Sequence, residues 1–145
     1  MNAGFTLIEI LVVIGMVAIL ATIVLIAINP ARQFRQGRDT QRTSNINTIL
    51  NAIGQYTADN KGILPAAITT ARQNISNTGA DLCSVLAPTY TPQFPQDPSV
   101  GASLTTPCPA VYDTKYKVMK DAVGRVIVSA DGEEPAGVDN ITFTR

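Results

Sequence analysis

Four carboxylates stand within nine residues near the end of the chain: Asp131, Glu133, Glu134 and Asp139, interspersed with Gly132 and Gly137. Oxygen donors at this density suit Ca2+, a hard ion that takes about six to eight oxygens. The spacing is not that of an EF-hand, and an acidic surface turn accounts for the same residues. A carboxylate-only hydrolase would draw on Asp131 and Glu133, but nothing in the neighbouring sequence orients the two. Cys83 and Cys108 lie outside any C-x-x-C spacing, and the chain contains no His. Zinc is therefore not expected. The missing His also removes the commonest general acid/base. In an exported domain two such cysteines pair, and a loop of that length contributes roughly 3 kcal/mol on the chain-entropy model. In a cytosolic core they would be free thiols. Eleven Lys and Arg balance eleven Asp and Glu, so there is no global basic field to draw in nucleic acid. With no nucleophile–base pair, phosphate loop or metal cluster, the chain is expected to be no enzyme. It is expected to need no cofactor other than calcium at the acidic segment.

One further charged residue stands out by its surroundings. Glu9 is the single charge between Phe5 and Ile28, where only Thr6, Gly15 and Thr22 otherwise interrupt an apolar run. Ile10 to Ile28 as a helix, at about 1.5 Å per residue, nearly spans a hydrocarbon core of about 30 Å. All other ionisable side chains follow Asn29-Pro30. The chain thus divides into a membrane helix and a soluble part. The run is longer than the apolar region of a cleaved secretory signal, and no Lys or Arg precedes it. An acidic group in a membrane segment costs on the order of 2.5–3.5 kcal/mol at the helix centre, less near an end, and it usually has a partner. A Glu near the helix start could also simply reach the interface.

Gly4-Phe5-Thr6-Leu7-Ile8-Glu9, opening a run of this length, resembles the class III signal of type IV pilins and type II secretion pseudopilins. That resemblance implies that a membrane aspartyl prepilin peptidase cuts between Gly4 and Phe5 and that Phe5 becomes N-methylated. The new α-amino group, with an ordinary pKa of about 7.7–8.0, is a cation that needs a counter-ion in apolar surroundings. Glu9 of a neighbouring subunit can supply it, and a buried pair of this kind penalises wrong registers. The leader departs from the family in carrying no Lys or Arg. Arg32, Arg35, Arg38 and Arg42 follow the apolar run instead, so the positive-inside bias runs against the orientation that the resemblance implies.

Beyond Asn29-Pro30, which kinks or interrupts the helix, Ile46, Ile49, Leu50, Ile53 and Tyr56 or Thr57 follow amphipathic spacing. That helix is expected to end near Asn60-Lys61-Gly62, with Gly62 as a left-handed cap. The arginine-rich stretch 32–42 contains few apolar residues. It is either a solvated or headgroup-facing surface or, by resemblance to pilin-like chains, a surface for pairing between subunits. The resemblance assigns assembly roles to Phe5, Glu9, Pro30, Arg32, Arg35, Arg38 and Arg42.

Residues 63–110 hold seven of the nine prolines and are expected to form a long irregular region with a short helix, stapled by the two cysteines. Tyr116 and Val118 alternate with lysines, Asp121-Ala122-Val123-Gly124 is a turn, and residues 125–129 pair back, a hairpin signal. Asn140–Thr144 would add a third strand, with the acidic segment as the loop before it. The expected fold is α+β: a long N-terminal helix against a small antiparallel sheet. The expected organisation is a leader at 1–4, a transmembrane or filament-core helix at 5–28, its amphipathic continuation at 29–61, and a head at 62–145.

The resemblance implies a filament subunit, held in the inner membrane before assembly and outside it afterwards. Its partners would be copies of itself, minor pilins, an inner-membrane assembly platform, the prepilin peptidase and membrane lipid. A stapled loop favours a pilus for adhesion, motility or DNA uptake. The acidic segment resembles the calcium-binding C-terminal loop of major pseudopilins and favours a secretion filament. Nucleic-acid binding would need a basic stripe from Lys115, Lys117, Lys120 and Arg125, which solvated strand residues explain equally well. A membrane-anchored enzyme or binding module is the reading from another class.

Overall fold

The computed structural model describes residues 4–101, 103–105 and 108–145. Two compact units make up the chain, residues 1–34 and residues 35–145. In the first, α1 runs Leu7–Ile28 with no buried residue. Its 22 residues reach about 33 Å as a helix, enough for a membrane span. Thr6 caps its start in extended conformation, and the Thr6 hydroxyl accepts the Glu9 N–H at 3.3 Å. Asn29 ends it with a left-handed backbone, φ 47°, a conformation that Asn tolerates better than most residues. The expected break at Asn29-Pro30 is therefore present. Pro30 is the first residue of α2, Pro30–Asp59, where its missing N–H has no helical acceptor to lose.

The second unit begins at Arg35, well before the expected head boundary at residue 62, because the apolar stripe of α2 belongs to the core. Ile46, Ile49, Leu50, Ala52 and Ile53 are buried. They join Ile75, Leu82, Leu86, Phe94, Tyr116, Val118 and Val128 in one cluster, with Tyr56 partly buried beside it. The helix ends as expected near residue 60, with one difference. Lys61 (φ 57°) and Gly62 (φ 85°) are both left-handed, and the Gly62 N–H donates to the Thr57 carbonyl at 2.8 Å. The closure is of the Schellman type, in which the first left-handed residue here is a lysine.

The sheet has four strands where three were expected, in the order β1-β2-β3-β4, each antiparallel to its neighbour. They are β1 Gln73–Ser76, β2 Asp113–Lys120, β3 Val126–Glu133 and β4 Ala136–Thr144. The extra strand lies in the stretch read as irregular: only Ile75 in its four residues favours a strand. A short helix, α3 Cys83–Leu86, does occur there. The β2–β3 turn falls on residues 121–124, with Gly124 at φ 89°.

Cys83 and Cys108 form the disulfide, and Cys83 is fully buried in the core. Replacing both by serine in the detergent-solubilised chain is expected to cost about 3 kcal/mol. Thermal unfolding should report a midpoint lower by roughly 10 °C.

Candidate functional site

In the N-terminal unit the sequence-predicted residues fall on either side of the start of α1. Gly4, Phe5 and Thr6 lie outside the helix. Glu9 is its third residue, and Phe5 is exposed. The first carbonyl to accept a helical bond is that of Thr6, from the Ile10 N–H at 3.3 Å. The bond expected to be cut, Gly4–Phe5, therefore lies in non-helical backbone. Beyond it, every large apolar side chain of α1 is at least 46 % exposed, so the helix requires a lipid or protein surround to remove it from water.

In the second unit, helical spacing places Arg35, Arg38, Asp39 and Arg42 on one stripe of α2, in line with the core residues Ile46, Ile49 and Ile53. Arg42 is 3 % exposed. Its Nε and Nη2 grip both oxygens of Asp97 at 2.6 and 2.9 Å, Nη1 donates to Asp39 at 2.7 Å, and Nη2 lies 2.7 Å from Glu133. Arg38 holds both oxygens of Glu133. Arg35 pairs with Glu134 at 3.2 Å. Asp39 in turn accepts the backbone N–H groups of Glu133 and Glu134 at 3.0 and 2.7 Å. Among the described residues no buried side-chain nitrogen or oxygen lacks a partner. The arginines expected to pair between subunits thus clamp the β3–β4 hairpin to α2 within one subunit. Arg32 and Pro30 lie in the N-terminal unit.

Asp97 is the residue that sequence reasoning missed. The available signal was that it is the only acid between Asp81 and Asp113, set among prolines that give a loop a fixed course.

The acidic segment is no open loop either. Asp131, Gly132 and Glu133 are strand residues of β3, Asp139 lies in β4, and only Glu134-Pro135 separates the two strands. The glycines are explained by Asn140. Its Oδ1 accepts the Gly132 N–H at 2.6 Å and its Nδ2 donates to the Pro135 carbonyl at 2.6 Å. A Cβ at Gly132 would lie 2.5 Å from that same Oδ1. The four carboxylates divide into two sets. Glu133 and Glu134 face the arginines of α2, while Asp131 and Asp139 each lie 3.1 Å from Lys117, with Arg72 also on Asp139 at 2.5 Å. Among the described residues no three acidic, His or Cys side chains are grouped to hold a metal ion. This donor set does not fit calcium, because its charges are already neutralised by guanidinium and ammonium groups. Millimolar Ca2+ is accordingly expected to leave the thermal midpoint of the protein unchanged, which differential scanning fluorimetry with an EDTA control will check.

The same pairings bear on the basic stripe. Lys115 pairs with Asp113, Lys117 with Asp131 and Asp139, and Arg125 with Asp121, which leaves no concentrated positive face on these three residues.

The clamp shifts its titrations. Hydrogen bonds from Arg38, and then from Arg42, outweigh burial and hold Glu133 at about 2. Burial alone would raise Asp97, but Arg42 and Ser99 win and lower it. A carboxyl whose folded pKa is depressed stabilises the fold above its unfolded value, and that contribution is lost as pH falls. For Glu133 the window runs from about 4.5 down to about 2. Urea midpoints should therefore be flat from pH 8 to 5.5 and decline steadily below pH 4.5. A Glu133→Gln variant should show a shallower decline.

No curated protein and no solved structure matches the chain. A family model does match, over residues 1–25, and its description is the prokaryotic N-terminal methylation motif. This points to a structural subunit rather than an enzyme, with a membrane-anchoring N-terminal helix, processing by a prepilin peptidase and assembly into filaments. The chain carries at its N-terminus the class III prepilin-type signal of type IV pilins and pseudopilins.

Proposed function

We propose that the chain is a pilin, the structural subunit of a type IV pilus-like filament. After the cut at Gly4–Phe5, α1 stays in the inner membrane until it leaves the bilayer by packing against α1 of other copies. The observation that carries this reading is the conjunction at one N-terminus of the methylation motif over residues 1–25 with a helix of 22 residues that has no buried position. Such a helix needs an apolar surround, which lipid supplies before assembly and a filament core supplies afterwards. Repeated head-to-tail contact of one surface with a different surface of the next copy generates a helical filament.

Phe5 and Glu9 would set the register, the α-amino group of one subunit meeting the carboxylate of its neighbour. The disulfide-closed region of the head supports the pilus over a type II secretion filament. The acidic segment, which favoured the secretion filament, is taken up in intramolecular ion pairs. Minor pilins and an assembly platform complete the proposed set of partners.

The test is to shear cells that make the protein and probe the released material by immunoblot and electron microscopy. Long surface filaments labelled by an antibody to the head support the pilus. Absence of filaments, together with retention of normally secreted proteins when the gene is deleted, would instead favour the pseudopilin.

A further inference from the structure

We propose that Thr6 is a positioning residue for processing: its hydroxyl caps α1 and thereby keeps the scissile Gly4–Phe5 bond out of the helix. The inference rests on the prepilin reading and adds a residue to it. Cleavage adds water across the Gly4–Phe5 amide, leaving a carboxylate on Gly4 and an amine on Phe5. The attacked atom is the Gly4 carbonyl carbon. If the helix extended one turn further, that carbonyl would accept the Ile8 N–H and would be closed to a peptidase that must polarise it.

Four N–H groups at a helix start need acceptors from outside the helix. Here the Glu9 N–H takes the Thr6 hydroxyl at 3.3 Å. Without that hydroxyl the replacements are the carbonyls four residues back, Phe5 for the Glu9 N–H and Gly4 for the Ile8 N–H, and accepting those bonds draws Phe5 and the scissile carbonyl into the helix. Thr6 itself has φ −82° and ψ 150°, which turns the chain out of helical geometry at that residue. The surrounding residues fit a strong stop. Thr6 and Glu9 have the spacing of a capping box, and Phe5 and Ile10 occupy the positions of a hydrophobic staple. The apolar residues from Leu7 onward favour helix in a membrane, so a definite stop is needed at this place. Phe5, held outside, is also left with its amine accessible for methylation.

The experiment measures initial cleavage rates of the full-length chain in membranes containing an active prepilin peptidase. It compares wild type with Thr6→Val, Thr6→Ser and Thr6→Asn. Valine keeps the shape and removes the hydroxyl; serine and asparagine both cap helices at least as well as threonine. The expected result is about fivefold slower cleavage of Thr6→Val, the equivalent of about 1 kcal/mol for a lost cap. Thr6→Ser and Thr6→Asn should stay within about twofold of wild type. Amide hydrogen exchange in micelles supplies a readout that direct contact with the peptidase would not move. Protection at Ile8, whose N–H would gain the Gly4 carbonyl, should rise in Thr6→Val alone. Cleavage of Thr6→Val at the wild-type rate overturns the proposal. So does an Asn variant as slow as Val, since that pattern means the peptidase reads the hydroxyl itself. Wild-type chain left uncut beside a control substrate that is cut would overturn the prepilin reading as well.

Discussion

Arg42→Leu is expected to destabilise the head by about 3–5 kcal/mol, the range for breaking a buried ion pair by removing one partner. Arg42 lies at 3 % exposure with Asp97 at 4 %, and Asp39 and Glu133 also direct oxygens at it. Leucine replaces part of the apolar stem but leaves Asp97 buried without its cation, and the desolvation that raises Asp97 then loses its main opponent. The Ser99 N–H and hydroxyl, at 2.8 and 2.5 Å from Asp97, are the only groups left to share that charge among the donors described above. Thermal unfolding of the detergent-solubilised chain should report a midpoint lower by roughly 10–20 °C. Arg42→Lys should fall between wild type and Leu, because lysine keeps a charge but cannot donate to both oxygens of Asp97 in one plane. A loss in Arg42→Leu no greater than that in Arg35→Leu would contradict the central place given to Arg42. Arg35 is 40 % exposed at its side chain, and an exposed pair contributes about 0–1 kcal/mol.

Glu9→Gln is expected to abolish filament assembly while leaving leader cleavage intact. In the proposed filament the Phe5 ammonium of one copy meets Glu9 of the next, away from water. Replacing the carboxylate by an amide leaves a buried cation uncompensated, at about 3–5 kcal/mol for each contact. Three kcal/mol is more than a hundredfold in subunit affinity, and a polymer multiplies that deficit along its length. Immunoblots of sheared and cell fractions should show processed subunit retained in the membrane and none in filaments. Filaments of normal abundance in Glu9→Gln would remove Glu9 from the account of register.

The sequence was most informative where structure is local. The apolar run, the break at Asn29-Pro30, the stripe of isoleucines on α2 and the Asp121–Gly124 turn each depend on neighbours within a few positions, and the structure has all of them. The α+β class followed from these, and the disulfide from two cysteines with no other use. What escaped depends on approach through space. Arg42 reaches Asp97 across 55 residues of sequence, and Arg38 reaches Glu133 across 95. Neither residue type nor spacing within either segment reveals that pairing. In sequence the two groups therefore stand apart, the arginines as a solvated or headgroup-facing surface or one for other subunits, and the carboxylates as an acidic surface turn or a site for calcium. Strand β1 escaped for a different reason. Gln-Asn-Ile-Ser has little preference of its own for extended structure, and it becomes a strand because β2 offers a partner. The N-terminal signal was legible because its chemistry is carried by consecutive residues.

The most direct test of the central claim is the mass of the intact protein and of its N-terminal peptide, recovered from native membranes that contain an active prepilin peptidase. The account predicts loss of Met1–Gly4 and one added methyl group on the amine of Phe5. A chain still beginning at Met1 would contradict it and leave a single-pass anchored domain. A cut beyond residue 20 would contradict it in another way, because α1 would then be absent from the mature protein.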